Sequence, residues 1–151
     1  MLVALRQADQ DETDSSATPP GLADVERLAA ATTAAGVRVD VQWRGEQRPL
    51  PADIELSAFR IIQEAVTNVV RHAGAGACRV SIDRGAEDLS IEVVDNGYGH
   101  EGSRERTSGA GLGLLGMRER VSLLDGDFSA APRPEGGFRV AARLPVPAAR
   151  G

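Results

Sequence analysis

Apolar residues recur along this chain with two different periods. From Ala58 to Ala73, AFRIIQEAVTNVVRHA, the positions Ala58, Ile62, Ala65, Val66, Val69, Val70 and Ala73 fall three and four apart. That is the spacing of a helix with a broad buried stripe. The helix is expected to run from about Ala52, with Pro51 at its first turn, to Gly74–Gly76. Leu22 to Ala35 repeats the period on Leu22, Val25, Leu28, Ala29 and Thr32, and Gly36 stops it. Leu114 to Leu124 is a third helix, with Leu115, Val121 and Leu124 available to a core and Gly126 after it. Elsewhere the period is two. Val37 to Trp43, Cys78 to Ile82 and Leu89 to Val93 alternate as half-buried strands, the last two as a hairpin. Arg48 to Leu50 reads as a short return strand. Phe128 to Ala130 and Phe138 to Leu144 close the sheet around APRPEGG.

These elements predict an α/β two-layer sandwich, a mixed sheet against about three helices. Between the strand ending at Asp95 and the last helix, Asn96 to Gly113 is nearly devoid of apolar residues and dense in glycine. It is expected to be a long loop that serves as a mobile lid. Asp9 to Gly21, DQDETDSSATPPG, reads as a linker, and Leu2 to Leu5 as a helix stub.

Composition narrows the class. The chain has 151 residues, enough for one domain with a real core. Only 3% are aromatic, so Ala, Val, Leu and Ile must build that core. A formal net charge of -5 speaks against nucleic acid, though not against ATP. Cys78 is alone, which excludes an internal disulfide. No apolar run is long enough to span a bilayer.

Three constellations carry candidate chemistry. On the central helix Glu64, Asn68 and His72 lie four apart, drifting by about 40° per step into one polar line. A carboxylate, an amide and an imidazole in a row suit a metal-bound ligand or a water, or simply a solvated stripe. Asp95 ends a strand and is followed by Gly97 and Gly99, where the backbone can approach a flat base; a plain turn reads the same. Gly109, Gly111 and Gly113 precede a helix, and backbone N–H groups there suit phosphates. Gly111, Gly113 and Gly116 also satisfy GxGxxG, but no strand stands directly before them, so a dinucleotide fold is not indicated. Together the tasks are complementary: Asp95 for a base, the glycines for phosphates, Asn68 for Mg²⁺.

QEAVTNVVRHA (Gln63 to Ala73), DNGYG (Asp95 to Gly99), GAGLGLLGMRERV (Gly109 to Val121) and PEGGFRVAARLP (Pro134 to Pro145) resemble, in order, the N box, the G1 box, the G2 box, and the last glycine box with the closing strand of a family. That family is the ATP-binding catalytic domain of bacterial sensor histidine kinases, of the superfamily shared with gyrase, the Hsp90 chaperone and MutL. MRER, Met117 to Arg120, resembles the subgroup paired with response regulators bearing LuxR-like domains.

The resemblance implies ATP and Mg²⁺ as cofactors, with Asn68 as metal ligand and Asp95 on adenine. It implies Glu64 orienting water or the acceptor imidazole, and Arg71 and His72 as a basic pair near the phosphates. It implies Gly97 and Gly99 freeing the lid, and Gly109, Gly111, Leu112, Gly113 and Leu114 around the nucleotide. Phe138 stands where many members have Thr, and Tyr98 where Arg is common. The acceptor histidine's helical hairpin has no counterpart, since only His72 and His100 are present. Residues 1–21 are therefore expected to be the end of a dimerisation helix and a linker, 22–145 the catalytic domain, and 146–151 a tail. The implied setting is cytoplasmic, with a phosphoacceptor domain and a LuxR-like response regulator as partners. Any membrane attachment would lie upstream, and the full protein would be a homodimer, this fragment a monomer. The rival readings are an anti-sigma-factor-type serine kinase of the same fold, and an interaction module without catalysis.

Overall fold

The computed structural model describes residues 19–73, 76–97 and 103–147, without the side chains of 72–73 and 103–112. A single turn of 3-10 helix, Leu22–Asp24, leads into α1 (Val25–Ala34). Gly36, at φ +114°, ends α1. Its N–H donates to Thr33 O, and that of Val37 to Thr32 O, which are the two bonds of a Schellman motif. β1 (Arg38–Gly45) follows, then α2 (Ala52–Asn68), whose last turn widens into a π-helical turn, Val69–Ala73. β2 (Ala77–Arg84) and β3 (Asp88–Asp95) form the expected hairpin, and α3 (Ser103–Leu123) leads to β4 (Asp127–Pro132) and β5 (Phe138–Pro145).

Among the described residues the strands form one sheet in the order β1-β2-β3-β5-β4, with β1 and β2 parallel and the other pairs antiparallel. The sheet is mixed, as expected. Alternation decides its two faces. Val80 and Ile82 of β2, Leu89, Ile91 and Val93 of β3, and Val140, Ala142 and Leu144 of β5 are all buried, while their neighbours point to the other side. The helices cover the apolar face: α1 lies on β1, α2 over β3 and α3 on β4. Ile61, Ile62 and Val66 of α2 meet the strand residues in one core, each such side chain contributing roughly 1.5–3 kcal/mol.

The other face is polar and half solvated. It forms a trough of about 1080 Å³ lined by residues such as Arg79, Glu92, Arg139 and Arg143. Arg139 pairs with Glu92, and Arg143 with Asp127 and Asp88. Small side chains, Ser81, Ser90 and Ala141, line the middle of the trough.

Several expectations need correction. Residues 46–50 are irregular. Pro49 and Pro51 lack the N–H a ladder needs, and Arg48 instead donates to the carbonyls of Gly85 and Ala86. The last helix begins at Ser103, so the stretch expected as loop is helical from there on. Leu115 is 53% exposed, and Met117 fills the core position beside Val121. Val70 is likewise exposed, because the π turn rotates the stripe after Asn68. Val146, placed in the tail by sequence, is buried, and its N–H donates to Glu87 O. Residues 1–18, with the helix stub and most of the linker, lie outside the described residues.

Candidate functional site

β3 delivers Asp95 to the helix-covered face, where it is only 4% exposed. The N–H of Gly97 donates to Asp95 Oδ1 at 2.8 Å, closing an Asx turn. Asn96 ties the same turn to β2: its N–H donates to Ala77 O, and Ala77 N–H to its Oδ1. Across the ladder from Asp95 stands Cys78, also buried. Burial, and secondly the Asp95 charge, push this thiol up to about 11. On the opposite side the β4–β5 turn closes against Asp95. Gly137, at φ +91°, passes so near that a Cβ on it would lie 2.0 Å from Asp95 O.

The second half of the site lies between α2 and α3. Glu64, half buried, reaches Gly113, where a Cβ would sit 2.5 Å from Glu64 Oε2. One turn on, the Asn68 side chain makes no hydrogen bond among the described residues, and its Nδ2 is buried without a partner. An amide that served only the fold would be satisfied by it. Leaving it so costs about 1–3 kcal/mol, which fits a residue whose partner is a ligand. The orphaned Nδ2 donor suits a phosphate oxygen, and the amide oxygen of the same side chain is the atom that would ligate Mg²⁺.

The structure thus brings Glu64 to Gly113, and Asp95 to Gly97. Leu114 is half buried and Arg71 exposed. Gly109, Gly111 and Leu112 lie within α3, whose side chains there are not described, nor is that of His72. Gly99 and Tyr98 are outside the described residues. Phe138, partly buried, packs against the core at the start of β5 and pairs with Pro132. Sequence reasoning took Gly136–Gly137 only as part of a last glycine box, without a role, and passed over Asn96 and Arg133. Two adjacent glycines between strands were the available signal.

Residues 53–148 match the family described as histidine kinase-, DNA gyrase B- and HSP90-like ATPase. The chain belongs to this family. Among relatives of this ATPase family, the signal transduction histidine-protein kinase/phosphatase DegS of Brevibacillus brevis is 32% identical over 111 residues. The counterpart UhpB of Salmonella typhimurium is 34% identical over 111 residues. Those matches take in 74% and 73% of this chain but only 28% and 21% of the two kinases. The ATP binding domain of PrrB from Mycobacterium tuberculosis superposes with a TM-score of 0.54 at 26% identity, covering 81% of this chain and 90% of that one. The Erythrobacter litoralis EL346 blue-light activated histidine kinase gives 0.65 at 22% identity, over 84% of this chain and 45% of its own, a likeness of fold. No helix among the described residues is long and apolar enough to cross a membrane.

Proposed function

We propose that this domain binds ATP with Mg²⁺ and donates the γ-phosphoryl group to a histidine on a separate dimerisation and phosphoacceptor domain of a sensor kinase. That kinase then phosphorylates a response regulator, one with a LuxR-like domain by the reading of Met117 to Arg120. The observation that carries the proposal is the buried Asp95. A carboxylate on a residue only 4% exposed, with Oδ1 already engaged by Gly97, is costly without a further donor, and the exocyclic amino group of adenine is one. Both DegS and UhpB carry names of histidine kinases, which supports the acceptor class.

In this reading each residue has a limited task. Asp95 accepts a hydrogen bond from the base. Glu64 orients a water or the acceptor imidazole, Arg71 and His72 offset phosphate charge, and the glycines of α3 leave backbone room for the phosphates. Asn68 holds Mg²⁺, which when bound neutralises charge on the phosphate oxygens. Residues 1–21 join the domain to the dimerisation helix of a cytoplasmic, homodimeric kinase portion.

Calorimetric titration tests the site. Asp95→Ala should weaken ATP binding by about ten- to a hundredfold in a folded protein. Asn68→Ala should abolish the Mg²⁺ dependence of ATP binding while leaving metal-free ADP bound. Unchanged ATP affinity in the first variant defeats the base contact. Transfer to a serine protein rather than to a histidine hairpin would favour the anti-sigma-factor type of kinase.

A further inference from the structure

Asp95 is the last residue of β3, and the ladder to β5 ends one pair earlier, at Val94 and Arg139. Its backbone carbonyl faces the β4–β5 turn, where Gly137 passes close to it. A side chain reaches it as well. Arg133, at the β4 end of the hairpin turn, directs Nη1 at both Asp95 O and Gly136 O, 3.4 Å from each. Its Nη2 is held 2.8 Å from Glu135 Oε2. The turn that carries it is itself closed, by Arg133 N–H to Gly137 O and Gly136 N–H to Arg133 O. The guanidinium is thus fixed by its own turn and spans the gap to the neighbouring strand.

We infer that Arg133 is a positioning residue for base recognition. This rests on the reading of Asp95 as the adenine contact. The physical reason lies in the two sides of the strand end. On the β2 side, the Asn96–Ala77 pair holds the backbone; on the β5 side, beyond the Val94–Arg139 pair, Arg133 bridges the β4–β5 turn to the Asp95 carbonyl. Asp95 Oδ1 is oriented by the N–H of Gly97, two residues on. Any rotation of the Asp95 peptide moves that N–H and re-aims the carboxylate. A planar guanidinium with Nη1 on both carbonyls and Nη2 on Glu135 resists that rotation, and an ammonium, with a single nitrogen, does not hold the carbonyls and the carboxylate together in that geometry. Gly136 and Gly137, both at positive φ, permit the close approach that puts the fork in range. Arg133 acts through Asp95 and is given no contact with nucleotide.

The test is a double-mutant cycle on the full chain, read by calorimetry with ADP and with GDP. Arg133→Met keeps the apolar stem and removes the fork. It should weaken ADP about five- to tenfold, the scale of one ordinary net hydrogen bond. It should leave GDP unchanged, so that discrimination for adenine falls. Arg133→Lys should rescue little of it. In an Asp95→Ala background, Arg133→Met should have no further effect. Equal losses in both backgrounds would make Arg133 an independent contact, and no loss in the native background would make it a surface residue; either overturns the inference while the base contact stands. An Asp95→Ala variant that binds ADP normally defeats the base contact itself, and the inference with it. Glu135→Gln is the second variant, at an exposed position that leaves the core intact. Freeing Nη2, it should give a smaller loss of the same selectivity, and equal ADP and GDP changes there would count against the inference.

Discussion

The space beside Gly113 is taken by the Glu64 carboxylate, the far end of a flexible side chain. Gly113→Ala gains about 1 kcal/mol of helix propensity but must displace Oε2. Little net change in thermal stability is expected, together with a loss of about tenfold or more in phosphoryl transfer to a supplied acceptor histidine, if Glu64 orients the reacting groups. A melting curve and a transfer assay on the same variant check both halves. Cys78 makes a separate, pH-dependent case. Its thiol is raised from 9.0 to about 11 in the fold, chiefly by burial. Between those values the unfolded chain has released this proton and the folded chain has not. The unfolded state then binds fewer protons, so stability falls as pH rises. Denaturant titrations across that range should show a decline that Cys78→Ala lacks. Asp125 shows what residue types conceal. The sequence points to Gly126 as the stop of α3, yet Asp125 takes the left-handed position, at φ 60°. Gly126 follows it, at a place where a Cβ would strike Arg143 O. Both residues favour turns; only the backbone of the neighbouring strand settles their order.

At the scale of elements, α2 and α3 carry the site and both depart from regularity. Periodicity identifies α2 because its apolar stripe faces the sheet. The widening at Val69–Ala73 leaves no such trace, since a π turn is made by one changed hydrogen-bond register and any residue can adopt it. For α3 the failure has another cause. Glycines at 109, 111, 113 and 116 each disfavour a helix by about 1 kcal/mol relative to Ala, so local propensity reads as loop where the structure is helical. The same cost makes that half of the helix easy to rearrange. Gly116 is the control position, because a Cβ there meets nothing within 4 Å. Gly116→Ala should raise the melting temperature by about 2–4 °C without changing ADP affinity. Gly111→Ala should also stabilise the helix but weaken ADP, if nucleotide needs that backbone. Equal ADP affinity in both variants would separate α3 from any lid function.

For the whole molecule, the expected behaviour is binding without self-modification. Phosphoryl transfer needs an acceptor nitrogen in line with the γ-phosphate. His72 follows Asn68 on the pocket helix itself, and His100 lies outside the described residues. The 151 residues should therefore bind ATP with Mg²⁺ yet acquire little label from γ-labelled ATP, and a phosphoacceptor hairpin supplied in trans should become labelled. Rapid stoichiometric labelling of this chain alone would reject that expectation. The two-layer fold was legible because it rests on periods: residues two apart on strands and three or four apart on helices must bury one face, whatever their neighbours. Glu64, Asn68 and Asp95 were legible as candidates for a related reason, being polar residues set among apolar ones. The meeting of Glu64 with Gly113, the closing of the β4–β5 turn on Asp95 and the start of α3 at Ser103 were not. Each is settled by contacts between segments far apart in the chain. Periodicity records which face of an element is buried, and only the packed structure determines what lies against it.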